Sequence, residues 1–154
     1  MEQMDQGRQS NKMQWVCRVL IAVVLFWNLQ AALLFMLSPS SFVAVFELQG
    51  ISGKAAIIGV GILFLMWQVP YVFALINPLR FKISLYEAII MQGIGLVAES
   101  LLYARIPSVH AQLRSSILRF IVFDGIGLIL LLLALLMLLP SLKTRLTVKS
   151  PKPG

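Results

Sequence analysis

One cysteine, Cys17, and one histidine, His110, serve the whole chain of 154 residues. A lone thiol allows no intramolecular disulfide, no CxxC redox pair and no cysteine zinc cluster. That excludes the quinone-linked thiol oxidoreductases that also use four-helix membrane bundles. A lone imidazole supplies neither a bis-histidine haem nor a zinc site. The sequence shows no phosphate-binding glycine loop and no nucleophile–histidine–acid constellation. No catalytic set, metal or cofactor is expected from these residues. Charge is also scarce: Asp, Glu, Lys and Arg make up 12% of the chain, against roughly 25% in soluble domains.

What fills the chain instead is apolar. Hydrophobic residues account for 59%, gathered into four segments at about 13–37, 52–76, 83–104 and 116–139. Each is near or above the roughly 18–20 residues that span a bilayer as helix. The expected fold is all-α: an antiparallel four-helix transmembrane bundle at 13–140, between a polar cytoplasmic tail (1–12) and a basic one (141–154). The first span is an uncleaved anchor, because its charge-free run from Val19 to Phe46 is too long for a signal core. Cys17 reads as a small apolar filler near the start of that span.

Proline and polar residues punctuate the spans. Ser38-Pro39-Ser40 ends the first, and FVAVFELQG at 42–50 reads as a short interfacial segment lying on the membrane. A lid over a site is the alternative for that segment. Pro70 should bend the second span, Asn77-Pro78 forces a turn, Arg105-Ile106-Pro107 stops the third span, and Pro140 ends the fourth. The tail beyond Pro140 is basic and proline-containing, and is expected to be disordered or lipid-facing.

The net charge of +7 flanks the spans and forms no patch interleaved with aromatics, so lipid headgroups and not nucleic acid are its expected partner. With both termini inside, nine basic residues (Arg8, Lys12, Arg18, Arg80, Lys82, Lys143, Arg145, Lys149, Lys152) oppose four outside (Lys54, Arg105, Arg114, Arg119). The positive-inside rule then sets both termini in the cytoplasm, in a membrane expected to be the bacterial inner membrane.

Polar groups inside a span are expensive and are kept for a partner or a task. The intramembrane candidates are Asp124, Glu99, Gln92, Asn28, Gln68 and Arg119. At about 1.5 Å per residue, Gln68 and Gln92 share one depth, Asn28 and Asp124 another, and Glu99 and Arg119 a third. Gln92 and Glu99, seven residues apart, lie on one face of the third helix. Glu87 points elsewhere and is expected to pair with Arg18 at the cytoplasmic edge. Asp124 has Asn28 and Arg119 as its nearest candidate partners. These groups read as hydrogen bonds and ion pairs fixing helix register, as a ladder for protons or a small polar or ionic ligand with Asp124 and Glu99 as its titrating steps, or as a site for a subunit or lipid headgroup.

Glycine adds a second pattern. Gly59 and Gly61, Gly93 and Gly95, and Gly125 and Gly127 fall near the middle of their helices, the last two pairs inside QGIGL and DGIGL. Small residues let helix backbones approach closely in lipid, so all six are assigned to helix packing.

The layout resembles the small four-span bacterial proteins called DoxX-like: similar length, four spans, a loop from Ser38-Pro39 to Gly50, and glycine-bearing second and fourth spans. DoxX itself is associated with a thiosulfate:quinone oxidoreductase as its small subunit, and no residue motif here carries that activity over. The expected function is a non-enzymatic accessory or scaffolding subunit of a larger membrane complex. The alternative is a small oligomeric carrier or proton-coupled transporter using the intramembrane carboxylates. The expected partners are the bilayer and either other membrane subunits or further copies of this chain.

Overall fold

The computed structural model describes the backbone of residues 2–148 and the side chains of residues 11–140. Five helices follow one another: α1 (Glu2–Leu37), α2 (Ser40–Val43), α3 (Gly50–Ile76), α4 (Lys82–Arg105) and α5 (Ala111–Val148). The four long ones each contain a stretch long and apolar enough to cross a membrane. The protein is therefore a multi-pass integral membrane protein with an all-helical, four-helix bundle fold.

Helix α1 packs on α3 and α5, and α4 packs on the same two. That arrangement sets α1 and α4 diagonally across the bundle. Large apolar side chains such as Trp15, Phe26, Ile90 and Ile129 stay more than half exposed, as they do where lipid is the solvent.

The tightest packing lies in the half of the bundle nearer the two termini. There Cys17, Ile21 and Val24 of α1 meet Tyr71 and Ala74 of α3, Leu85 and Ala88 of α4, and Leu131, Ala134 and Leu138 of α5. Small residues on every helix at this level bring the backbones close. Cys17 is fully buried and its thiol donates to the Ala134 carbonyl at 3.3 Å.

Several boundaries differ from the sequence reading. Helix α1 extends back through the polar residues from Glu2, since no proline interrupts it. The last apolar span does end at Pro140, but the helix does not: Pro140 sits inside α5, which continues to Val148. A membrane helix tolerates the donor that proline deletes when neighbouring groups serve the freed carbonyl. Pro70 likewise lies within α3. Of the basic tail, residues 149–154 lie outside the described residues.

The predicted pair of Arg18 with Glu87 does not form. Arg18 donates from Nε to the Leu75 carbonyl at 2.9 Å, and Glu87 is exposed on α4. The diagonal placement of α1 and α4 keeps them apart. The last carbonyls of α3 have no helical donor, and a cation at a helix C-terminus is well placed to serve one.

Candidate functional site

Away from the packed half, the helices line a partly open cavity of about 720 Å³. Its walls come from every helix. Nine of the chain's fifteen aromatic residues line it. Phe35 of α1 is the hub, with ring centroids 4.7 Å from Phe42, 6.0 Å from Phe64 and 6.0 Å from Phe120. Trp67 stacks on Phe64 at 5.7 Å, and Trp27 meets Phe123 edge-on at 5.9 Å.

The six intramembrane polar residues singled out above, Asn28, Gln68, Gln92, Glu99, Arg119 and Asp124, all line this one cavity. Their pairings differ from the depth estimate. Asp124 Oδ1 accepts from Gln92 Nε2 at 2.8 Å, and Gln92 Oε1 accepts from the Tyr71 hydroxyl at 2.6 Å. Asn28 sits beside that same hydroxyl. A polar chain thus runs from α1 through α3 and α4 to α5, with Gln92, 4% exposed, at its centre.

Glycine explains why Asp124 reaches Gln92. A Cβ at Gly95 would overlap the Asp124 carboxylate, and one at Gly127 would lie 2.6 Å from Gln92 Nε2. In Gln92-x-x-Gly95 and Asp124-x-x-Gly127 the polar residue and the glycine share a helix face. Docked antiparallel, each polar side chain lies over the other helix's glycine. Gly61 is equally tight, against Met36, Ala32 and Phe35 of α1. The other three glycines are not tightly packed. Gly59 and Gly93 have nothing within 4 Å of a built Cβ, and Gly125 meets only Leu96 at 3.8 Å. Residues two apart point about 200° apart on a helix, so only one glycine of each pair faces the neighbour.

Two acceptors in the cavity wall stay unpartnered. Gln68 is 6% exposed; its Nε2 donates to the Phe64 carbonyl at 2.7 Å, but its buried Oε1 accepts nothing. Glu99 has a buried Oε2 without a donor. Arg119, expected at the same depth as Glu99, lines the cavity yet forms no ion pair with it. Arg119 is itself exposed.

Helix α2 and the turn after it close one end. Phe42 and Phe46 point into the cavity wall, Phe46 within 6.1 Å of Phe120. The segment therefore folds inward over the bundle. Ser116 donates to the Val45 carbonyl at 3.4 Å, and His110 Nδ1 lies 2.5 Å from Glu47 Oε2. That contact across 63 residues is one that sequence reasoning missed; both ends sit in loops where spacing carries no signal. Glu47 has a positive φ of 54° and Gly50 one of 63°, the left-handed turns that swing the chain back into α3. Arg114 serves the fold and not the cavity: it donates to the Tyr103 and Ile106 carbonyls at the end of α4 and lies over the Tyr103 ring.

Among the described residues no cluster of His, Cys, Asp and Glu is arranged to hold a metal ion. The chain matches no family model, no curated protein and no solved structure, so its likeness to DoxX-like proteins rests on layout alone.

Proposed function

We propose that this protein is a small membrane-embedded binding protein or carrier that holds an amphiphilic organic molecule between its four helices. The supporting observation is the cavity of about 720 Å³, aromatic on its walls and carrying two buried, unpartnered acceptors, Gln68 Oε1 and Glu99 Oε2. Cavities of roughly 300–1,000 Å³ with apolar walls and a few convergent polar groups are the usual form of small-molecule sites. Unmade hydrogen bonds in a low-dielectric interior are costly, and a ligand with a matching donor relieves that cost.

A subunit that only scaffolds or seals a larger complex has no need of such a space. The polar chain Tyr71–Gln92–Asp124 is satisfied by itself and fixes helix register. The orphaned pair Gln68 and Glu99 serves no register contact. That division weighs toward a carrier and against a pure scaffold.

Tryptophan emission tests the reading. Trp27 and Trp67 line the cavity, while Trp15 lies outside it and is 66% exposed. In a Trp15→Phe background, the neutral quencher bromonaphthalene should quench saturably, and Ala31→Phe, which fills the cavity, should abolish the saturable part. Quenching that rises linearly and ignores Ala31→Phe would contradict the proposal.

A further inference from the structure

The charge and wall chemistry of the cavity narrow the ligand class. Three ionisable side chains of formal charge line the cavity: Glu99, Asp124 and Arg119. By formal count the wall carries two carboxyl groups and one guanidinium. Arg119 does not spend its charge on either acid, since no ion pair joins them. Glu99 and Asp124 both line the cavity, and an opposite charge nearby favours the ionised form of a carboxyl group. Around them stand the faces and edges of Trp27, Phe35, Phe64, Trp67, Phe120 and Phe123. Aromatic faces attract cations and repel anions. Gln68 Oε1, more than nine-tenths buried and unpartnered, adds another acceptor and no free positive group.

Resting on the reading of the cavity as a ligand site, we infer that its ligand is a monovalent organic cation, its apolar body held by the aromatic wall and its charged end beside Glu99 and Asp124. An anion would have Arg119 alone. An inorganic cation would have no cluster of metal ligands among the described residues and no use for the rings. A quaternary or protonated amine with aromatic or alkyl substituents meets both parts of the wall.

The test uses the full-length protein in uncharged maltoside micelles, reading the emission of Trp27 and Trp67 with Trp15→Phe. Tetraphenylphosphonium and tetraphenylborate have nearly the same shape and opposite permanent charge. The cation should bind saturably and at least about tenfold more tightly than the anion. Glu99→Gln, with its unfolding midpoint as a check on folding, should cost the cation at least about tenfold. Arg119→Gln should tighten cation binding, a gain that misfolding cannot produce.

Equal or tighter binding of the borate, or cation binding indifferent to both Glu99→Gln and Arg119→Gln, would overturn the inference. If bromonaphthalene still saturates in that case, the cavity reading stands without the cation. If it does not, both fall. Added phosphatidylcholine separates two sources of the same chemistry: displacement of the phosphonium assigns the site to a lipid's ammonium headgroup, and retention assigns it to a free organic cation.

Discussion

Gly95 and Gly127 hold their places because Asp124 and Gln92 occupy the space that a side chain would need. Overpacking of this kind costs about 1–3 kcal/mol, so Gly95→Ala and Gly127→Ala should each lower the thermal unfolding midpoint in detergent. Gly59→Ala meets nothing within 4 Å and should leave the midpoint unchanged or raise it, alanine being the better helix former by about 1 kcal/mol. Equal losses from all three would refute the one-of-each-pair packing. Tyr71→Phe tests the polar chain: it strands the buried Gln92 Oε1, at a cost of about 1 kcal/mol in a membrane interior. The sequence placed Gln92, Glu99 and Asp124 in the spans by simple count. Their partners were hidden because rise per residue gives only depth, whereas a side chain over a glycine reaches up or down a turn. Glycine pairs equally announced close packing without saying which member faces the neighbour.

At the scale of elements, α2 and its turn lie over one end of the cavity, with Glu47 against His110. Their side chains are 34% and 45% exposed, and exposed pairs contribute at most about 1 kcal/mol. Glu47→Gln should therefore speed exchange of a bound phosphonium by no more than roughly fivefold, read by stopped-flow tryptophan emission. An exchange rate identical in Glu47→Gln and the parent would rule out the latch. Proline and glycine punctuation marked the loops well: α1 stops at Leu37, α3 at Ile76 and α4 at Arg105. Two features escaped. The segment 42–50 reads as amphiphilic whether its phenylalanines face lipid or fold inward over the bundle. Pro140, which stops a soluble helix, sits within α5, because in lipid an unpaired carbonyl is costlier than a bent helix.

The molecule as a whole divides its labour along the membrane normal. One half is filled by small and branched residues from all four long helices, and the other is held open by aromatic rings around a polar row. Four spans and a helical bundle follow directly from four long apolar runs. The division does not, because hydropathy measures lipid solubility and says nothing of which apolar faces meet. The central claim is that this open half holds a ligand and does not merely contact a larger assembly. The most direct test is the native mass of the protein gently extracted from its own membranes, with co-migrating chains and small molecules identified. The account predicts the chain alone or in a small homo-oligomer, carrying a bound organic molecule that Ala31→Phe removes. Migration with a large assembly of other chains, with no small molecule bound, would contradict it.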